Sequence, residues 1–351
     1  MKYFSTFAGI GGFEVAIHSV FPNAICVGYS EIDKYAIQIY QKHFPNHKNF
    51  GDIVQIDIDN LPDFDLLIGG SPCQDLSIAK KNREGLEGSR SGLFYKFVEI
   101  LEKKKPKYFL FENVASMSEE SQSKINKILG EASRYSNILF PDYIKPVMIN
   151  AALVSAQNRK RLFWANFSIT QPEDKGILLK DILEDEVDEK YFLNDSRINY
   201  VLNKSKNYQV KINPNKTNTL RTNYGNASAN ETYVIRIGQI YPGQGERIYS
   251  IEGKTVTQVG QAGGDGGKTG LYLINNKSHY LDANYYKGIR KLTPIECERL
   301  QTFPDNWTEG ISNTQRYKTL GNAVCVEVIK HILQCLKGEG DADTLTLSKW
   351  L

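Results

Sequence analysis

One cysteine of this chain stands where chemistry is easily done. In Gly70-Ser71-Pro72-Cys73-Gln74 a proline turn follows directly on the apolar run Phe64 to Ile68. Such a run, followed by glycines, reads as a buried strand, and ligands of open α/β sheets collect at the carboxyl ends of strands. A thiol held there by a rigid turn is a candidate nucleophile, whereas Cys26 and Cys325 read as small buried hydrophobes. Glu112-Asn113-Val114 closes a second apolar run, Tyr108 to Phe111. Its carboxyl can handle a proton or simply cap the next helix. Gln157-Asn158-Arg159-Lys160-Arg161 opens a further strand, and alternation puts Gln157, Arg159 and Arg161 on one face, aimed at a ligand or forming a solvated basic edge.

A glycine-rich turn, Phe7-Ala8-Gly9-Ile10-Gly11-Gly12, precedes the first helical pattern. Gly9, Gly11 and Gly12 let backbone and helix N-terminus approach a ligand closely. A dinucleotide fingerprint wants a third glycine at position 14, where Glu14 stands, so a nicotinamide-dependent dehydrogenase is disfavoured. Glu31, about twenty residues on, can accept hydrogen bonds from ribose hydroxyls. Asp52-Ile53, read as following a third strand, offers a polar edge and an apolar face to an adenine. These three stations in order point to a cofactor that carries a nucleoside.

The elements that must position these residues alternate. Strands are expected at Lys2 to Phe7, Ala24 to Tyr29, Phe64 to Ile68, Tyr108 to Phe111 and Ile144 to Ile149. Helices are expected after Gly12 (Phe13, Ile17, Val20), at Lys34 to His43, Leu93 to Glu102 and Gln122 to Gly130. Strict alternation implies an α/β fold with a mostly parallel sheet covered on both faces. Arg161 to Phe167 reads as an antiparallel strand at the sheet's end. From about Asp195 the pattern breaks into Asn, Gly, Tyr and Thr clusters with short strands at Thr232 to Ile237 and Leu271 to Ile274. Thr293-Pro294-Ile295-Glu296 announces a helix N-terminus for Thr293 to Gln301. Ala323 to Leu336 forms a last helix, and the residues after Gly338 look like a tail. The expected division is a catalytic, cofactor-binding part (1–190), a smaller loop-rich part (191–288), a returning segment (289–337) and a tail (338–351).

Composition agrees with a folded chain: 351 residues, 41% hydrophobic and 24% charged, with mean hydropathy −0.40, well above the apolar content of disordered chains. No apolar run approaches the roughly 20 residues needed to span a bilayer, and Met1 leads straight into Lys2-Tyr3-Phe4 without a leader pattern, so no membrane association is expected. Five widely spaced cysteines without a CxxC pair exclude a disulfide framework or zinc ribbon, imply no metal and suit a reducing cytoplasm. The net charge of +3 hides an asymmetry: Asp195 to Lys287 holds 12 Lys+Arg, 6 Asp+Glu and 10 of the 20 tyrosines. A basic, tyrosine-rich quarter of the chain suggests a surface facing a polyanion. Lys268 in Gly-Gly-Asp-Gly-Gly-Lys-Thr-Gly does not make a phosphate loop, since Ala262 stands where that motif needs its first glycine.

Taken together, these blocks closely resemble the cytosine-C5 DNA methyltransferase family. Phe7 to Gly12, Pro72 to Gln74, Glu112 to Val114, Gln157 to Arg161, Arg290 through Pro304 (with Thr293, Glu296 and Glu298-Arg299-Leu300-Gln301-Thr302-Phe303) and Gly321 to Val324 match its motifs in family order over nearly the whole chain. Ser71 in place of a second proline, with Asp75-Leu76-Ser77-Ile78 after the cysteine, is similar to the vertebrate de novo enzymes.

The resemblance implies a fold of the S-adenosylmethionine-dependent methyltransferase type with a target-recognition domain. It implies a reaction in which Cys73 adds to C6 of a flipped-out cytosine in double-stranded DNA and C5 takes the methyl group of S-adenosylmethionine. Glu112 would act as acid at N3, Arg161 would hold O2, and Arg159 would brace the cysteine loop or a phosphate. Phe7, Gly9, Gly11, Gly12, Glu31, Asp52, Ile53, Pro72, Asn322 and Val324 would hold the cofactor. Gln74, Ser77, Lys80, Lys81, Arg83 and Arg90 would face DNA from a loop that closes during catalysis, although such a charge run can also be an idle solvated loop. Arg221, Asn223, Arg236, Gln239 and Arg247 are the candidate readers of base edges. A monomer is expected, with a restriction endonuclease as a separately acting partner. The competing readings are a tRNA cytosine-C5 methyltransferase, which would carry a shorter recognition insert, and a DNA-binding module that kept the fold without catalysis.

Overall fold

The computed structural model describes residues 1–71, 92–133, 144–192 and 292–347, with side chains through 339, and the backbone of 236–239, 247–250, 271–273 and 289–290, with Arg290 in full. Nine-residue helix α1 (Gly12–Val20) follows strand β1 (Lys2–Thr6), and α2 (Lys34–His43) follows β2 (Ile25–Ser30). The series continues through β3 (Leu66–Gly69), α3 (Gly92–Lys104), β4 (Tyr108–Val114), α4 (Glu119–Ser133), β5 (Val147–Asn150) and β6 (Lys160–Ala165). These strands form one six-stranded sheet in the order β2-β1-β3-β4-β6-β5. The first four are parallel and β6 is antiparallel to both of its neighbours. This is the α/β architecture with a mostly parallel sheet that the alternation predicts.

Strand alternation divides the core into two. Tyr3, Leu66, Ile68 and Leu110 point into one apolar cluster with Phe13, Ile17 and Ile39, and the C-terminal helix lies against α1 there. Phe4, Leu67, Phe109 and Phe111 point into the other, against Phe94, Phe97 and Ile125. Consecutive residues of β1, β3 and β4 thus serve opposite faces, the period-2 pattern of a sheet covered on both sides.

Four expectations change. Strand β6 does not end the sheet but inserts between β4 and β5, because its two antiparallel partners take both of its edges. The strand itself opens at Lys160, so Gln157 and Arg159 precede it; Gln157 turns inward and its Nε2 donates to Leu300 O at 3.3 Å. No strand precedes Asp52: Asn49 makes only an isolated bridge to Tyr29, and Asp52 caps a 3-10 turn at Ile53–Gln55. The last helix runs on through the expected tail as far as Leu347.

The C-terminal region returns to the sheet as α5 (Pro294–Leu300), α6 (Asn313–Asn322) and α7 (Val326–Leu347). The start of α5 is a capping box: Glu296 N donates to Thr293 Oγ1 and Thr293 N donates to Glu296 Oε2, as S/T-x-x-E predicts. The Glu296 carboxylate also receives both terminal nitrogens of the buried Arg290, at 2.7 and 2.6 Å. A second, four-stranded sheet has the order β10-β9-β8-β7, from β7 (Arg236–Gln239), β8 (Arg247–Ser250), β9 (Leu271–Leu273) and β10 (Ile289–Arg290). Phe192 bridges Arg290 antiparallel, so the chain just before this part of the sequence lies beside the sheet's last strand. Among the described residues no helix is long and apolar enough to cross a membrane.

Candidate active site

Glu112 and Arg161 come together at the carboxyl end of β4. Arg161 pairs in register with Val114 and Phe163 with Glu112, so Arg161 is the diagonal neighbour of Glu112, within reach of a long side chain. Arg161 Nε stands 2.9 Å from Glu112 Oε1, with both side chains under one-fifth exposed, and Arg161 Nη1 donates to Lys160 O. A pocket lined by Glu112, Arg159, Arg161, Phe163, Val324 and Cys325 opens beside the pair. A fixed carboxyl and a guanidinium side by side can together offer a proton and hydrogen bonds to a planar polar ligand.

The turn after β3 leads to the same place. A Cβ on Gly70 would lie 2.5 Å from Glu112 Oε2 and 3.1 Å from Glu112 O, so only glycine admits the chain this close. Ser71 is buried, and its Oγ accepts a hydrogen bond from Asn113 Nδ2 at 3.3 Å. Gly70 and Ser71 thus carry the chain past Glu112 immediately before Pro72 and Cys73. Pro72, Cys73, Gln74, Ser77, Lys80, Lys81, Arg83 and Arg90 themselves lie outside the described residues, as do Arg221 and Asn223. Of the remaining expected base readers, Gln239 and Arg247 are register partners across β7 and β8, and Arg236 pairs with Tyr249.

Arg159 is buried, and its Nη2 donates to the carbonyls of Gly321 and Ala323 at 3.2 and 2.8 Å. It therefore ties the start of β6 to the C-terminal segment that carries Asn322 and Val324. Asn322 is exposed at the end of α6. Val324 faces the glycine turn, where a Cβ on Gly12 would meet Val324 Cγ2 at 2.8 Å and Phe303 at 3.2 Å.

The glycine turn is built for close approach. Phe7, Gly9 and Gly11 all have positive φ, at 54°, 58° and 88°, conformations that cost a residue with a side chain. Gly9 N donates to Glu31 Oε2 at 2.8 Å, while Ile32 N and Asp33 N donate to Glu31 Oε1. Oε1 is thereby filled, and Oε2 keeps a lone pair for a hydroxyl donor. Asp52 Oδ1 accepts from Val54 N. Ile53 is buried, but Ile32 and Val54 are 68% and 51% exposed. Acceptors at Glu31 and Asp52, exposed aliphatic side chains next to each, and open space above Gly9 fit the ribose and adenine of S-adenosylmethionine. Ile32 and Val54 are the residues that sequence reasoning missed; an aliphatic side chain between Glu31 and Asp33, in a polar stretch, was the signal for the first.

The family model described as C-5 cytosine-specific DNA methylase matches residues 1–338. The chain is 31% identical to the type II methyltransferase M.HhaI of Haemophilus parahaemolyticus, over 95% of this chain and 93% of that one. It is 30% identical to the type II methyltransferase M.NlaX of Neisseria lactamica, over 96% of each. Among solved structures, an Entamoeba histolytica methyltransferase, EhMeth, superposes with a TM-score of 0.66 at 16% identity, covering 97% of this chain and 98% of that one. Spodoptera frugiperda DNMT2 gives 0.65 at 18% identity, covering 95% and 99%. With motifs, fold and relatives in agreement, the chain belongs to the C-5 cytosine-specific DNA methylase family and is a methyltransferase that draws on S-adenosylmethionine.

Proposed function

We propose that this enzyme methylates C5 of a cytosine flipped out of a specific duplex DNA sequence, through a transient bond between Cys73 Sγ and C6 of the base. C5 of cytosine is a poor nucleophile, and addition of the Cys73 thiolate to C6 pushes electron density onto C5. Glu112 holds a proton at N3 to neutralise the charge that accumulates there, and Arg161 donates to O2. S-adenosylmethionine supplies the electrophilic methyl group that C5 receives. Removal of the C5 proton then expels Cys73 and regenerates the thiolate. The base must leave the stack to reach these groups, at a cost of a few kcal/mol.

Phe7, Gly9, Gly11, Gly12, Glu31, Asp52, Ile53, Pro72, Asn322 and Val324 would hold the cofactor, with Ile32 and Val54 as apolar walls. Arg159 braces the C-terminal segment of the site. The DNA-facing set comprises Gln74, Ser77, Lys80, Lys81, Arg83 and Arg90 together with Arg221, Asn223, Arg236, Gln239 and Arg247. The stretch 191–288 acts as the recognition domain and 1–190 with 289–337 as the catalytic one. The protein works as a monomer in the cytoplasm, as the modification half of a restriction-modification pair; the type II names of its relatives support that assignment.

The main support is the Glu112–Arg161 pair beside Gly70 and Ser71, which brings acid, guanidinium and the approach to Cys73 to one strand edge. Duplex DNA with 5-fluorocytosine tests the reading, because fluorine does not leave C5 as a proton does. Wild-type protein should remain attached to the modified duplex through denaturing electrophoresis, and Cys73→Ser should not. Methyl transfer to tRNA alone, or methylated duplex without any adduct, overturns it. Bisulfite sequencing of DNA from expressing cells would then give the sequence context.

A further inference from the structure

We propose that Trp307 is a positioning residue for the glycine turn, fixing it in the shape that receives the cofactor; this rests on the reading of Phe7 to Gly12 as the cofactor turn. Trp307 Nε1 donates to Ile10 O at 2.9 Å, a buried hydrogen bond that joins residues 297 positions apart. Ile10 sits between Gly9 and Gly11, both at positive φ. The Ile10–Gly11 peptide is pinned on both sides: Gly11 N donates to Ala8 O at 3.1 Å within the turn, and Ile10 O accepts from the indole outside it. The indole is therefore the contact that ties this peptide to the C-terminal region, adding to the bonds that Ala8 O and Glu31 make to the turn's amides.

Trp307 is itself held from several sides. His43 stacks on it with ring centroids 3.5 Å apart and planes 4° from parallel, and His43 Nε2 lies 2.8 Å from Trp307 O. Phe303 packs against the same ring at 5.3 Å and also abuts Gly12. The next carbonyls are gripped by the same helix: Lys42 Nζ donates to Glu309 O and Gln38 Nε2 to Gly310 O. Residues 307–310 form a strap across α2 whose one inward hydrogen bond to the turn comes from the indole. Nothing in this arrangement requires Trp307 to touch the cofactor.

The decisive variant is Trp307→Phe, which keeps an aromatic ring against His43 and Phe303 and removes only the donor. By titration calorimetry on protein without DNA, its Kd for S-adenosylmethionine should rise about tenfold, equivalent to about 1.4 kcal/mol. In turnover assays KM for the cofactor should rise in step while kcat changes less than about twofold, and Kd for duplex DNA should not move. Hydrogen exchange at the Gly11 and Gly12 amides should quicken. His43→Leu, which loses the stack and the bond to Trp307 O, should weaken cofactor binding in the same sense and decides the matter if Trp307→Phe does not fold. Glu31→Ala separates the two levels of inference. If Glu31→Ala weakens cofactor binding and the strap variants do not, or if they lower the unfolding temperature alone, the role of Trp307 is overturned. If Glu31→Ala also binds like wild type, the cofactor reading of the turn falls instead.

Discussion

Arg161 and Glu112 meet diagonally across an antiparallel strand pair, Nε to Oε1 at 2.9 Å. Because β6 runs against β4, the start of β6 lies beside the end of β4, with Arg161 opposite Val114 and one step diagonal to Glu112. An acid and a guanidinium far apart in sequence are thereby fixed by strand register.

Glu112→Gln preserves the shape of the side chain and its contact with Arg161 but cannot deliver a carboxyl proton. Single-turnover methyl transfer should slow by about 10²-fold or more, the usual contribution of a positioned acid, with affinity for DNA and cofactor nearly unchanged. Arg161→Lys retains charge and loses the planar fork, and should also slow the step. A Glu112→Gln protein that turns over at the wild-type rate would remove Glu112 from the chemistry.

Gly70→Ala tests the close approach of the turn to Glu112. The new methyl would lie 2.5 Å from Glu112 Oε2, so the carboxyl must swing away or the turn must lift. Overpacking of this kind costs about 1–3 kcal/mol, which a domain of this size survives. The expected result is a folded protein, judged by its unfolding temperature, whose kcat has dropped at least tenfold. Full activity would show that the carboxyl position is not critical.

Most of the architecture is legible in the sequence because its signals are local. Alternating runs such as Leu66 to Ile68 and Phe109 to Phe111 put successive side chains on opposite faces, and Thr293-Pro294-Ile295-Glu296 spells out a capping box that is present atom for atom. Strand order is not local: nothing in Lys160 to Ala165 says that it inserts between β4 and β5. Helix α6 carries little signal because its apolar face is short, with Leu320 its one fully buried large side chain. At the site, Glu112 and Arg161 stand out through their places at strand ends. Ile32 carries a weak local signal beside Glu31, whereas Trp307 gains its meaning only from Ile10, 297 positions away, and no spacing rule reaches that far.

Glu14 takes the place of a fingerprint glycine, and the fold buries it completely under the turn. Neither carboxyl oxygen has a partner in hydrogen-bond geometry among the described residues. Burial raises its pKa to about 7, with the Ser5 and Tyr40 hydroxyls near enough to pull it partly back. The titratable groups around it are Tyr3 on β1, Cys26 and Tyr29 on β2 and Tyr40 on α2, with His18 and His47 bonded to the two tyrosines Tyr3 and Tyr40. Between the ordinary glutamate value of 4.5 and about 7 the folded protein binds the proton that the unfolded chain has lost, so this group makes stability fall as pH rises. His47, lowered to about 4 by burial first and by His18 second, acts in the opposite sense between pH 4 and 6.5. Glu14→Gln removes the first effect and keeps the second. The variant should match wild type near pH 4.5 and exceed it above pH 7 by on the order of 3 kcal/mol, since each tenfold change in proton affinity is worth about 1.4 kcal/mol. Denaturant unfolding of both proteins from pH 4.5 to 8.5 gives the difference curve directly, and a flat curve would mean that folding leaves the proton affinity of Glu14 unchanged.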